Sequence, residues 1–385
     1  MKHIPYSTQC IDDDDINAVI STLKSDFITQ GSKVKEFEEN IANILNVKYV
    51  VSFNSATSAL NIAYKIIKND LANKVDSNQN IEFLTTPLTF SATANMMLEN
   101  GIKPRFCEIN HLGNIDENSL HISPKTKAIV SVDYAGNSVK ADKIASFCKE
   151  HNLYFISDSS HSFGGEYHNN KIGTFADMTI FSFHAVKPIT TIEGGAIATN
   201  NKHFYTMANL LKSHNIIKKS LWDSEIYSDL KQGDSTTSNL IGHNFRLSDV
   251  AASLGISQLS KLESFITKRT KIAKIYDNAF KNIAKFYTLH IPAHIKSTYH
   301  LYPILLDSAL FSRKKDIFKD LLDCGLGVQV HYKPLYQFNL YKNHKAIKSV
   351  DDFYNAEISI PCHQKLSESE VDFIISTISK IFKKY

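Results

Sequence analysis

The sequence is poor in cysteine and lacks any long apolar run. Its five cysteines, Cys10, Cys107, Cys148, Cys324 and Cys362, are widely spaced and form no CxxC pair. An odd, scattered set argues against a disulfide framework and against a structural zinc site. No stretch approaches the roughly 18 apolar residues of a membrane span. The opening MKHIPYSTQCIDDDDI has no apolar core and carries four consecutive aspartates, so it does not read as a secretory leader. A reduced, cytoplasmic chain is expected. Neither charge sign dominates, with 43 Lys and Arg against 39 Asp and Glu, a net +4. A small, dispersed positive excess suits an anionic small molecule and not a nucleic acid, which usually meets a clustered basic patch. Short-period repeats and low-complexity tracts are absent, as are the GxSxG and HExxH signatures.

What is present is an alternation of strand-like and helix-like segments. KYVVSF (Lys48–Phe53), IEFLT (Ile81–Thr85), Arg105–Ile109, AIVSV (Ala128–Val132) and LYFIS (Leu153–Ser157) read as strands. Ala59–Ile67, Ser91–Glu99 and Ala141–His151 carry helical spacing. This βαβ rhythm, with continuously apolar strands, predicts an α/β fold around a mainly parallel sheet buried on both faces. After Gly195 helices dominate, including a long and interrupted one over Asp249–Lys285. A strand at Leu301–Leu306, a helix at Lys314–Cys324, a strand at Gly327–His331 and a helix at Glu368–Lys383 predict a second, smaller α/β unit. The expected division is 1–254 and 255–385. QGDSTTSN (Gln232–Asn239) reads as an exposed loop.

Four short stretches carry chemistry. NSATS (Asn54–Ser58) joins a strand to a helix, where free N–H groups and hydroxyls of Thr57 and Ser58 suit a phosphate; a plain N-cap would look the same. TTPLTF (Thr85–Phe90) places Phe90 at a strand's carboxyl end, where a flat ring could stack, although a core phenylalanine is the blander reading. In DSSH, Asp158 ends a buried strand, a costly position for a carboxylate without a cationic or hydrogen-bonding partner; an Asp-capped turn is the alternative. In FSFHAVKPITTIEGG (Phe181–Gly195), Lys187 follows another buried strand. Burial lowers an amine's pKa and makes it a nucleophile. Proteins that bind pyridoxal phosphate pair such a lysine with an acid on the ring nitrogen, and phosphate cradle, ring stacker, acid and lysine together make a set consistent with that cofactor, though each alone is weak.

The chain resembles the DegT/DnrJ/EryC-type sugar aminotransferases along nearly its whole length. The likeness rests on ITQGSKVKEFE (Ile28–Glu38), NSATSAL (Asn54–Leu60), TTPLTFSATAN (Thr85–Asn95), VDYAGNSV (Val132–Val139), the lysine stretch and GHNFRLSDVAASLGISQL (Gly242–Leu259). It implies the pyridoxal-phosphate transferase fold of type I, like aspartate aminotransferase, with residues 1–254 binding the cofactor. It further implies that Lys187 bonds the cofactor and shuttles protons, Asp158 holds the ring nitrogen, His161 faces the ring hydroxyl and Phe90 stacks. Thr57, Ser58 and Ser182 would hold the phosphate. Asn244 would reach it across a homodimer interface. His331 and Tyr6 would approach the sugar, and Arg246 would serve as a second anion contact or a structural ion pair. LYPILL (Leu301–Leu306), GVQVHYKPLY (Gly327–Tyr336) and SIPCHQ (Ser359–Gln364) are similar to members that use a UDP-linked 4-keto-6-deoxy-N-acetyl sugar and glutamate.

Relatives usually read GYN at Gly242–Asn244, where this chain has His243, and often carry a second acid and an alanine around Asp158 in place of serines. Sugar dehydratases of the family replace the lysine with histidine, so Lys187 favours amino transfer. A scaffold without turnover would tolerate loss of Lys187 or Asp158, and both are present. His290 and His294 sit four apart, but Pro292 lies between them, and exposed polar histidines are expected there.

Overall fold

A computed structural model describes residues 3–72, 80–218, 224–226 and 240–385; the stretch Gln232–Asn239 expected as a loop lies outside them. Seven strands form the central sheet: β1 (Tyr49–Phe53), β2 (Glu82–Thr85), β3 (Lys103–Phe106), β4 (Thr126–Val132), β5 (Tyr154–Asp158), β6 (Met178–Ser182) and β7 (Gly195–Thr199). Their spatial order is β1-β7-β6-β5-β4-β2-β3. β7 alone runs antiparallel to its neighbours, and the remaining pairs are parallel. Alternate residues serve opposite faces. Ile156, Ile180 and Ile197 pack under α3 (Ala56–Ala72). Phe181, Ala196 and Ala198 pack under α2 (Ser32–Leu45) and α7 (Asp249–Leu259). Burial on both faces is why these strands read as unbroken apolar runs.

A second core gathers on the helix α8 (Leu262–Phe280), on α9 (Lys314–Asp323) and on α11 (Glu368–Lys384). They cover a three-stranded antiparallel sheet of β8 (Phe286–Thr288), β9 (Tyr302–Leu306) and β10 (Glu357–Ile360). α8 serves both cores: Leu262, Phe265 and Ile266 join the first, whereas Ile272, Ala273, Tyr276 and Phe280 join the second. The expected long helix is therefore two helices, broken at Ser260–Lys261.

One expected strand, Gly327–His331, is not formed. Its backbone bonds go to separate partners, Gly327 N–H to Ile4 O at 2.7 Å and Gln329 to Ser359 at 2.8 and 3.1 Å, so no ladder develops. Gly327 is what lets the N-terminal segment lie there. A Cβ would come within 2.9 Å of Ile4 O and of Pro5 Cα.

Two of the quoted sequence stretches have structural work. The aspartates at 12–15 start α1 (Asp13–Leu23): Asp12 accepts from Asp15 N–H at 3.2 Å, and Asp15 accepts from Asp12 N–H at 3.1 Å. Asp15 also accepts from Gln258 at 2.7 Å and Lys261 at 3.0 Å, which docks α1 on α7. Asp249 begins α7, yet its carboxylate caps α2, accepting from the N–H groups of Gly31 (2.7 Å), Lys33 (2.8 Å) and Val34 (3.3 Å). That bond joins ITQGSKVKEFE to the RLSDV stretch. Asp249→Ala leaves three part-buried backbone donors at the start of α2 without their acceptor and is expected to lower stability by about 2 kcal/mol, read by chemical denaturation.

Candidate active site

The carboxyl edge of the central sheet opens into a cavity of about 450 Å³. Four chain segments meet there: the turn from β1 into α3, the loop after β2, the end of β5, and the loop from β6 to β7. At the first, Ser55, Ala56 and Thr57 line the wall. Gly195 allows this approach, since a Cβ on it would stand 2.4 Å from Ala56 N. The helix start therefore offers backbone N–H groups and a positive dipole end to the cavity. Ser182, at the end of β6, borders the same region.

Asp158 is 6% exposed at the tip of β5. Its Oδ2 accepts from Thr93 Oγ1 at 2.7 Å, and its Oδ1 accepts from Ser160 Oγ at 2.6 Å. These bonds are the partners that a buried carboxylate needs. Lys187 sits in a tight loop held by Phe183 N–H to Gly194 O and Thr191 N–H to Phe183 O, both 2.9 Å. Its side chain is half-buried with the amine turned into the cavity. Burial pushes that amine down to about 8, against the opposing pull of the Asp158 charge.

On the opposite wall, Tyr332 shares a 3.0 Å hydrogen bond with His161 Nε2, and the ring of Phe90 lies 6.4 Å away. Phe90 is 60% exposed, an unusual position for a phenylalanine unless something flat covers it. Burial first, and then Lys187 and His331, push His161 well below the usual imidazole range, so the ring is neutral. Its Nδ1 and that of His300, whose ring is 4.4 Å off, are buried and have no hydrogen-bond partner among the described residues. His331 borders the cavity with Tyr6 at 5.5 Å between ring centres.

The fold thus brings Lys187, Asp158, His161, Phe90, Thr57, Ser182, His331 and Tyr6 to one cavity. It leaves three expected residues off the wall. Ser58 faces back, its hydroxyl donating to Asn54 Oδ1 at 2.6 Å. Asn244 is exposed in the single chain, on a strand-like segment that accepts from Asn54 N–H through Phe245 O at 2.8 Å. Arg246 does not border the cavity either. His290 and His294 lie in a loop, with His294 stacked on His168. Sequence reasoning missed Thr93, Ser160, His300 and Tyr332. A hydroxyl inside the apolar helix SATANMMLE was a usable signal for Thr93; the other three had none.

The residues fit pyridoxal phosphate. A helix start with free N–H groups, one buried carboxylate, one desolvated amine, a bare aromatic face and imidazole nitrogens without a partner among the described residues surround the same space. The family model described as the DegT/DnrJ/EryC1/StrS aminotransferase family matches residues 9–379. The chain belongs to that family. Pyridoxal phosphate is the cofactor of these aminotransferases, and this chain is one of them. A UDP-4-amino-4,6-dideoxy-N-acetyl-β-L-altrosamine transaminase of Helicobacter pylori is 45% identical over 100% of this chain and 99% of its own. A protein of the same name from Campylobacter jejuni is 44% identical over 99% and 98%. The solved structure of Helicobacter pylori PseC, an aminotransferase involved in the biosynthesis of pseudoaminic acid, superimposes with a TM-score of 0.93. It has 44% identity and full coverage of both chains. The pyridoxal-phosphate form of a sugar aminotransferase, Spr1654 of Streptococcus pneumoniae, gives a TM-score of 0.88 at 29% identity, covering 99% of each chain.

Within this aminotransferase, modification of Lys187 by an amine-directed reagent on the cofactor-free protein is expected to accelerate as pH rises through about 8. In Asp158→Asn the midpoint moves lower, because the charge that holds the ammonium is gone. Mass mapping of the labelled peptide against pH reads both.

Proposed function

We propose that the protein transfers the amino group of glutamate to the C4 ketone of a UDP-linked 4-keto-6-deoxy-N-acetyl-hexose. The product is UDP-4-amino-4,6-dideoxy-N-acetyl-β-L-altrosamine, a step of pseudaminic acid synthesis. The observation that carries this reading is the Lys187–Asp158 pair in a cavity walled by His331 and Tyr6, in a chain whose whole length matches transaminases of that name. The division expected near residue 255 falls inside α7, so we place it on α8, whose first turns join the first core and whose later turns join the second, and the enzyme works as a cytoplasmic homodimer. Among the described residues no helix is long and apolar enough to cross a membrane.

Pyridoxal phosphate supplies an aldehyde and an electron-accepting ring when bound. Lys187 would hold the cofactor through that aldehyde, and its Nζ would take and return the substrate proton. An amine near 8 is neutral in a useful fraction at working pH, and still basic enough to carry the proton. Asp158, held by Thr93 and Ser160, keeps a proton on the ring nitrogen. Neutral His161, tied to Tyr332, faces the ring hydroxyl without adding charge. Thr57, Ser182 and the start of α3 hold the phosphate, with Ser58 bracing that turn through Asn54. Asn244 would reach the partner subunit's phosphate, a reading its exposure in one chain supports, and Arg246 would serve as a second anion contact or as a structural ion pair.

The test mixes protein, cofactor, glutamate and UDP-4-keto-6-deoxy sugar isomers and follows the products by mass spectrometry. Amino sugar and 2-oxoglutarate are expected; a deoxygenated sugar would refute amino transfer. Lys187→Ala is expected to lose turnover by at least about a thousandfold, together with the visible absorption of the lysine-linked cofactor.

A further inference from the structure

Behind His331 stands a hydrogen-bonded chain that ends on a fully buried acid. His331 Nδ1 lies 2.8 Å from Ser359 Oγ. Ser359 Oγ donates to Glu357 Oε1 at 2.5 Å. The other carboxylate oxygen, Oε2, accepts from the backbone N–H of His331 at 2.7 Å. Glu357 and Ser359 are both 0% exposed, on β10. The segment is doubly anchored, since Gln329 pairs with Ser359 and Tyr134 donates its hydroxyl to His331 O at 2.7 Å.

The donor inventory fixes the tautomer. An ionised carboxylate only accepts, so the Ser359 proton points to Glu357. Ser359 Oγ must then accept, and His331 Nδ1 must carry a proton. Nε2, on the cavity side, is left bare. Adding one proton to the chain reverses its two side-chain bonds, while the His331 backbone N–H goes on donating to Oε2. The added proton enters from solvent at Nε2; the Nδ1 proton passes to Ser359 Oγ, and the original Oγ proton passes to Glu357 Oε1. One N–H bond forms at Nε2 as the Nδ1–H bond breaks, and one O–H bond forms on each of Oγ and Oε1 as the old Oγ–H bond breaks. No other charge moves.

We propose that Ser359 and Glu357 are positioning residues that switch His331 between a hydrogen-bond acceptor and a donor at the cavity wall, according to the protonation of Glu357. The groups around the chain support this. Burial pushes Glu357 up to about 7, against the pull of the Ser359 bond, of Lys314, of the His331 N–H and of Tyr134. Lys314, on α9, donates to Tyr354 O and favours the ionised acid. Burial and then Lys187 push His331 down to about 3. His161 and His300, neutral by the same effects, stand on its other side, and Tyr332 follows it in the chain with its phenol held protonated by burial. The carboxylate is thus the stronger base of the two, and an added proton comes to rest there without leaving an imidazolium in the wall. The consequence for substrate rests on the proposed function, in which His331 approaches the sugar.

The test uses the holoenzyme labelled with ¹⁵N-histidine, the His331 signals being assigned by their loss in His331→Asn. In the wild type the protonated nitrogen is expected to change from Nδ1 to Nε2 as pH falls through about 7. Glu357→Gln, whose carbonyl accepts from His331 N–H and whose amide donates to Ser359, is expected to hold Nε2–H at every pH. Ser359→Ala is expected to abolish the pH response. KM for the nucleotide sugar is expected to change about tenfold between about pH 6 and about pH 8 in the wild type and to stay flat in Glu357→Gln. A wild-type tautomer that ignores pH, or a switch that survives in Glu357→Gln, overturns the proposal. A switch with an unchanged KM supports the chain and removes the sugar contact from the proposed function.

Discussion

A buried carboxylate at the end of one strand and a desolvated amine on the loop after the next strand set the terms for this structure. Neither tolerates the position alone, because burial disfavours each charged form. Asp158 is made tolerable by Thr93 and Ser160, and Lys187 by the field of Asp158. Both arrangements require the parallel sheet. Adjacent parallel strands end at the same edge, so β5 and β6 deliver their following residues to one crevice. The βαβ rhythm is in this sense the device that brings an acid and an amine 29 residues apart into one cavity.

The remaining parts of the site follow from how closely backbone can approach backbone. β7 reverses direction and returns against the start of α3, which only a residue without a Cβ permits at Gly195. The pair Gly194–Gly195 therefore matters for close approach, since neither glycine adopts a positive φ. Gly327 does the same for the N-terminal segment, which carries Tyr6 to the side of His331. The cavity is thus built from both cores, with α8 packing into each. A shift of the second core would move His331 and Tyr332 relative to Lys187 and Asp158. His184, 3.8 Å from Glu193 at the cavity's mouth, completes the lining from the lysine loop.

Much of the fold was legible because its signals are local. The inner strands β4 and β5 read as apolar runs since both sheet faces are covered, whereas the edge strand β3, KPRF, is partly exposed and starts two residues before the expected Arg105; the helices between the strands show plain helical spacing. Gly327–His331 misled for a related reason. It is apolar enough to be a strand, but its backbone partners come singly from Ile4 and Ser359. The candidate site was legible where a residue's chemistry was out of keeping with its neighbours. Lys187 and Asp158 stand out against apolar strands, whereas Tyr332 and Ser160 look like ordinary loop residues.

By itself the sequence determined the sheet, the cofactor's likeness to pyridoxal phosphate through Lys187, Asp158, Phe90 and Thr57, and the order of those groups along the chain. These depend on composition and on spacing within a few turns or strands. Tertiary structure alone decided which hydroxyls hold Asp158, that Ser58 faces away from the cavity while Thr57 faces it, and that Asp249 caps a helix 216 residues away. It also decided that His331 stands before Ser359 and Glu357. Those contacts join residues far apart in the chain, and their geometry is set by core packing, which no local pattern records.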